Sequence, residues 1–194
     1  MTIPGAEVSG LADHIRDVKR FSMCSEPQLA YLFMLAMLAP DGIAVECGVY
    51  QGGSLFAWAQ ARIGRGRIIA VDSYMPPRWE RELIIFREQI VARKLNGQID
   101  LLRMSSWDAP NSLPDNVAFC FIDSDHSADG FPSDLEAWPR KIKPGGILVL
   151  HDYDVANPNV VVKRFADIWH ELAQWEIIGN FHSTMAYRRP YDPE

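Results

Sequence analysis

The chain has 194 residues, 48% of them hydrophobic and 23% charged, with a formal net charge of −6. That suffices for one α/β domain with a substantial core, is too little for two large ones, and excludes a disordered chain. No Lys/Arg cluster is visible, which argues against nucleic acid as the main substrate; the acidic balance could attract a cationic cofactor, although enzymes with neutral substrates are often acidic too.

There are three cysteines, Cys24, Cys47 and Cys120. Cys47 and Cys120 fall in expected buried strands and read as small core residues in a reducing compartment, not as a disulfide or a metal site. The first residues are mixed and polar, unlike a secretory leader, and the longest apolar run, residues 29–40, is too short to span a bilayer. A soluble cytoplasmic protein without a membrane partner is expected.

In chain order, residues 1–10 read as a loose start, and apolar positions at Leu11, Ile15, Val18 and Phe21 predict a short amphipathic helix. Ser25-Glu26-Pro27-Gln28 is a helix-start signature with a capping Ser, a Pro in the first turn and a Gln at the capping-box position. The helix it opens is rich in Met and aromatic residues, stops near Pro40, and suggests sheet packing, a lid over a substrate, or a homodimer face. Residues 43–47 predict a buried strand, followed by Gly48, Gly52 and Gly53 and an apolar helix opening at Leu55. The glycines would let backbone approach a ligand, and the loop points N–H groups at the helix N-terminus. The spacing is Glu46-x-Gly48-x-x-x-Gly52-Gly53, neither the dinucleotide nor the phosphate-loop pattern. An acid at the strand end suits an amine-bearing ligand better than a pyrophosphate.

A second strand, residues 67–71, ends in Asp72, about twenty residues beyond the glycines. In nucleoside-binding α/β folds an acid at this place accepts hydrogen bonds from ribose, although it could also cap the next helix. A helix over 79–95 carries opposite charges at helical spacing, which read as a solvated face. A third strand, 98–102, leads to Ser105, Ser106 and Trp107, and a fourth, 117–122, ends in Asp123-Ser124-Asp125-His126. A helix over 132–142, a turn at 143–146 and a fifth strand over 147–150 lead to His151-Asp152-Tyr153-Asp154. A helix over 159–174 and a hairpin, 175–181 with 184–188, close the chain. Strand–helix alternation predicts a parallel, doubly wound, Rossmann-like α/β sheet ending in an antiparallel hairpin, with polar clusters at the carboxyl ends where such sheets bind ligands. Residues 1–40 form an N-terminal helical segment and 41–194 the ligand-binding domain.

The run from Ile43 to Arg188 resembles class I S-adenosylmethionine (SAM)-dependent methyltransferases. Val45-Glu46-Cys47-Gly48, Val71-Asp72-Ser73-Tyr74, Phe121-Ile122-Asp123-Ser124-Asp125-His126 and Pro144-Gly145-Gly146 with His151-Asp152-Tyr153 look like the subset of macrocin-type O-methyltransferases and cephalosporin hydroxylase-like proteins. Both are common in secondary metabolism. The resemblance implies that Glu46, Gly48, Tyr50, Gly52, Gly53 and Ser54 line the methionine part of SAM, that Asp72 and Ser73 hold the ribose, and that Ser105, Ser106 and Trp107 border the adenine, with Asp123 also facing the cofactor. It implies a divalent cation, Mg²⁺ or another, on Asp123, His151 and Asp152, with Asp125 and Asp154 as nearby oxygen donors. His151 stands where the family pair usually has an acid, which puts Mg²⁺ in particular in doubt, since imidazole suits Zn, Fe and Ni. His126, three residues past Asp123, is the expected base for an acceptor hydroxyl; His151 is its rival without a metal. The expected reaction is O-methylation of a small molecule, with a metal-free N-methyltransferase and a non-catalytic SAM- or nucleoside-binding protein as alternatives.

Overall fold

The computed structural model describes residues 10–157 and 160–192, so the loose start and the expected helix start at Asn159 lie outside the described residues. The first helix, α1 (Leu11–Lys19), turns Ile15 and Val18 inward. The second, α2 (Glu26–Leu38), begins with the expected capping box: Gln28 N–H donates to Ser25 Oγ, and Ser25 N–H donates to Gln28 Oε1 at 2.8 Å. It buries Leu29, Leu32, Phe33, Leu35 and Ala36 and leaves Met34 and Leu38 outside, so most of its apolar surface is core.

From there the elements are β1 (Ile43–Cys47), α3 (Gly53–Ala59), β2 (Ile68–Val71), α4 (Glu80–Ala92), β3 (Ile99–Leu102), β4 (Val117–Ile122), α5 (Phe131–Ala137), β5 (Ile142–Leu150), α6 (Val162–Ala173), β6 (Glu176–Phe181) and β7 (Thr184–Arg188). The strands form one sheet in the order β3-β2-β1-β4-β5-β7-β6. All neighbours are parallel up to β5, and β7 runs antiparallel to both β5 and β6. The expected Rossmann-like α/β sheet with its terminal hairpin is therefore present. Period-two alternation sorts the strand residues between two cores. Ala44, Ala70, Phe119, Phe121 and Val149 pack against α1 to α4. Val45, Cys47, Ile69, Cys120, Ile122 and Leu148 pack against α5 and α6.

Several boundaries differ from expectation by a few residues, and two of the differences have a visible cause. Helix α5 ends at Ala137 rather than near 142, because Pro139 has no N–H to continue it. The expected turn at 143–146 is a bulge inside β5. Pairing passes from Val117↔Ile142 to Phe119↔Ile147, and Gly145 N–H bonds instead to Arg189 O at 3.0 Å.

The register places the site. Leu102, Val71, Cys47, Ile122 and Leu150 form one rung across the five parallel strands. The residues that follow it are Arg103, Asp72, Gly48, Asp123 and His151. The chain reverses between β1 and β4, so Gly48 and Asp123 flank the point where connections leave to opposite faces, the place where such sheets take ligands.

Candidate active site

The glycine loop is built around close backbone approach. Gly48 has φ +85°, and a Cβ there would lie 1.9 Å from the carbonyl oxygen of Asp123. Only glycine lets the end of β1 pass so near the end of β4. Gly53 admits the N-terminal segment: its N–H donates to Phe21 O at 3.1 Å, and a Cβ would meet Phe21 and Ser22 backbone. The backbone carbonyl of Phe21 thus holds the first N–H of α3.

Asp72 organises the same loop from β2. Its Oδ2 accepts from Val49 N–H at 2.9 Å and Tyr50 N–H at 3.1 Å, and Oδ1 accepts from Tyr74 N–H at 2.9 Å. Tyr50 sits at φ 54°, a conformation bulky residues avoid. It is held by that bond to Asp72 and by Tyr74 Oη donating to Tyr50 O at 2.7 Å. Oδ1 of Asp72 keeps a lone pair beyond its single N–H, so the carboxylate can still accept from a ligand hydroxyl. Ser73, beside it, is exposed.

Glu46 lies behind the loop. Strand parity turns it toward α3, where it is fully buried, accepts from Ser54 Oγ at 2.7 Å and accepts from Trp58 Nε1 at 2.5 Å. Burial pushes its carboxyl up to about 8, against these hydrogen bonds. Glu46 and Ser54 therefore meet each other, locking α3 to β1 and shaping the cradle from beneath. Ser106 and Trp107 also diverge. Ser106 is buried; its Oγ donates to Asp134 at 2.8 Å, and its carbonyl accepts from Trp138 Nε1 at 3.1 Å. Trp107 is 39% exposed and lines a shallow depression with Pro110, Asn111 and Arg140. Ser105 Oγ donates to Asp108 at 2.5 Å.

Beyond β4 and β5 the structure assembles two carboxylates and two imidazoles. His126 Nε2 is 3.4 Å from Asp123 Oδ1, and its Nδ1 is 3.7 Å from Asp152 Oδ2. His151 Nδ1 is 3.1 Å from an oxygen of each aspartate. Asp152 reaches them from a left-handed backbone, φ 56°. Burial works to raise the Asp123 carboxyl, and the imidazoles more than offset it, holding it below the usual carboxylate range. Burial lowers His126, and the nearby Asp123 and Asp152 carboxylates outweigh that, so its affinity for a proton rises.

For His151 two influences oppose. Burial lowers it and Asp123 pulls it upward, with a net rise. Against a second proton stands Gln28, whose Oε1 accepts from Ser25 N–H, so its amide nitrogen faces His151 Nε2 at 3.0 Å and donates to His182 O at 2.6 Å. A ring nitrogen that receives an N–H presents a lone pair. That contact favours a lone pair at Nε2, against the pull of the carboxylates on the Nδ1 side.

The ligand atoms sort into two groups that share Asp123, each with its atoms within 4.8 Å of one another: Asp123, His126 and Asp152, and Cys24, Asp123 and His151. The sequence expectation joined His151 to the two aspartates, and its Nδ1 lies 3.1 Å from each; the geometry also brings His126, expected to stand apart as a base, between the same aspartates. Asp125 and Asp154 turn to local duties, accepting from Ser127 N–H and from Asn180 Nδ2. Sequence reasoning missed Gln28 and Cys24 at His151, and Asp134, which accepts from both Ser106 Oγ and Ser124 Oγ and so ties the loops after β3 and β4 together. A lone acid on the inward face of α5 was the one available signal.

A strand-end cradle beside an acid–imidazole cluster, on this sheet order, is the layout of a class I methyltransferase. A family model described as a methyltransferase domain matches residues 45–153, more than half of the chain, and the protein belongs to that family. Among solved structures it is similar to an O-methyltransferase from Bacillus cereus in complex with SAH, at 17% identity over 96% of this chain and 94% of that one, with a TM-score of 0.68. It is also similar to the O-methyltransferase TomG of Streptomyces achromogenes, involved in tomaymycin synthesis and in complex with SAM, at 17% identity over 99% and 93%, TM-score 0.64. A putative caffeoyl-CoA O-methyltransferase from Staphylococcus aureus aligns at 13% identity over 94% and 92%, TM-score 0.67. At these identities the likeness speaks for the fold.

Proposed function

We propose that the protein transfers the methyl group of SAM to a hydroxyl of a small molecule, with a divalent cation beside the acceptor. The observation that carries this is that Asp123 of the Asp123–His126–Asp152 group directly follows the same rung of strand ends that Gly48 and Asp72 follow. The glycine cradle fits the amino-acid end of the cofactor, and the spare lone pair of Asp72 fits a ribose hydroxyl. Methyltransferase neighbours crystallised with SAM or SAH support the same cofactor. His126 Nε2 and His151 Nδ1 are enclosed without a well-formed hydrogen bond, which together with two carboxylates fits a cation.

Such a cation would be held by Asp123 and Asp152 and would supply a positive charge that lowers the pKa of the attacking hydroxyl. Asp123 and Asp152 hold the negative charge that places it. With Asp123 and Asp152 holding the cation, His126 is the neighbouring base that receives the hydroxyl proton. Tyr50, Tyr74 and Asp72 fix the loop so that the methyl donor meets the oxygen in line. The acceptor class that fits is a hydroxylated natural product of secondary metabolism.

SAM titration by calorimetry tests this on wild type and Asp72→Asn. Micromolar binding, weakened at least tenfold in the variant, is expected. Folded protein that binds no SAM would overturn the reading. Methyl transfer from labelled SAM to vicinal-diol and catechol acceptors, with and without Mg²⁺ or Mn²⁺, then tests the acceptor and the cation. Transfer to amines without metal stimulation would move it to N-methylation.

A further inference from the structure

Asp134 lies in α5, and Trp138 follows one turn later at its end; both grip Ser106. Asp134 Oδ2 accepts from Ser106 Oγ at 2.8 Å, and Trp138 Nε1 donates to Ser106 O at 3.1 Å. The same carboxylate oxygen accepts from Ser124 Oγ at 2.6 Å. Ser124 directly follows Asp123, so one oxygen links the loop after β3 to the site acid at the end of β4. That link crosses the ends of β2 and β1, which lie between those strands in the sheet. Asp134 is fully buried, and its other oxygen, Oδ1, is enclosed without a partner. A carboxylate enclosed with one oxygen unmatched weakens a fold, and an apolar side chain of similar size would carry no such penalty. What the carboxylate supplies is position, since Phe131 and Leu135 anchor α5 in the core.

The sheet order connects this staple to the cofactor. On the SAM reading proposed above, on which this step rests, the amino-acid end lies at Gly48 after β1 and the ribose at Asp72 after β2. The cofactor then runs from β1 toward β3, and its base comes beside the loop after β3. We propose that Asp134 is a positioning residue for the nucleobase: through Ser106 and Ser124 it fixes the gap between the loop after β3 and the end of β4 in which the base lies. Asp134 does not touch the base. It holds Ser106 in place, and with it the neighbouring Ser105 and Trp107. Without the shared carboxylate, Ser106 keeps only its bond from Trp138. The loop then samples more positions, and ordering it around the base draws on binding energy.

Calorimetry on the whole protein with two ligands tests this: SAH, and S-ribosylhomocysteine, the same molecule with a hydroxyl in place of the base, the weaker one measured by displacement at high concentration. Wild type should bind SAH at least about tenfold more tightly. Asp134→Leu should melt cooperatively and lose at least about tenfold in SAH affinity. Its affinity for S-ribosylhomocysteine should stay within about threefold of wild type, because the amino-acid and ribose ends are held elsewhere. Asp134→Asn keeps an oxygen for both hydroxyls and should recover most of the loss. Ser106→Ala removes one hydroxyl and leaves the carboxylate on Ser124, so it should reproduce part of the loss; it carries the test if Asp134→Leu unfolds. Equal weakening of both ligands, or an unchanged preference for SAH in both variants, overturns the role of Asp134 and leaves the SAM reading standing. Folded wild type that binds neither ligand overturns the SAM reading and this role with it.

Discussion

At the scale of single residues, burial decides how the motif acids work. Glu46 reads in the sequence as a ligand-facing acid, yet parity on β1 sends it to α3, where Ser54 and Trp58 take both oxygens. Its carboxyl binds a proton up to about 8 in the fold and loses it near 4.5 when unfolded. Between those values the native state holds the extra proton, so stability falls as pH rises and levels off above the folded value. At about 1.4 kcal/mol per pH unit the ceiling is on the order of 5 kcal/mol. Urea denaturation should therefore show wild type weaker at pH 8 than at pH 6. Glu46→Gln, which can donate to Ser54 Oγ and accept from Trp58, should flatten that slope; an unchanged slope would assign it to other groups. Gly48→Ala tests the opposite kind of residue. With Asp123 O 1.9 Å from the new Cβ, the ends of β1 and β4 must part, at a cost of about 3 kcal/mol. SAM affinity should fall with it in calorimetry, whereas an unaltered melt and affinity would refute the close packing. The strand-end acids and glycines were legible because each follows its own strand. Gln28 was not, because its contact with His151 joins positions 123 residues apart.

At the scale of elements, apolar runs and turn residues marked nearly every strand and helix. What they could not show is how ends are secured. Pro139 stops α5 early, and the 143–146 bulge belongs to a ladder that only the partner strand reveals. The end of α2 is a further case. Its open carbonyls are met by Arg62, 1% exposed, whose guanidinium donates to Ala36 O, Ala39 O, Pro40 O and Gly42 O. One side chain from the 3₁₀ turn after α3 thus closes α2 and fixes the entry to β1. Burial pulls its pKa down to about 10, still charged at neutral pH. Arg62→Met should strand those acceptors and cost about 3 kcal/mol by urea denaturation. Arg62→Lys, with a shorter reach and no fork, should recover only part of it. SAM affinity of the folded fraction should stay near wild type, since the cap lies at the amino end of β1 and the cradle at its carboxyl end.

At the scale of the molecule, the sequence suggests a helical segment over 1–40 set before a binding domain, and the core unites them. Leu29, Leu32, Phe33 and Leu35 of α2 and Ile15 and Val18 of α1 pack in the same cluster as Leu55, Phe56 and Trp58 of α3 and Phe119 and Phe121 of β4. Phe21 O holds the first N–H of α3, and Gln28 reaches both His151 and His182. Helices α1 and α2 thus complete the face of the sheet that α3 and α4 leave open. A fully buried Leu or Phe contributes about 1.5–3 kcal/mol. Losing the four from α2 alone removes about 6–12 kcal/mol, comparable to the whole margin of about 5–15 kcal/mol. A chain starting at Asp41 should therefore lack a cooperative thermal transition and near-ultraviolet dichroism, bind a hydrophobic dye, and take up no SAM, while a chain starting at Gly10 should match wild type in each. Cooperative melting of the shorter chain would mean that the sheet and its later helices suffice, and that the N-terminal helices serve the site alone.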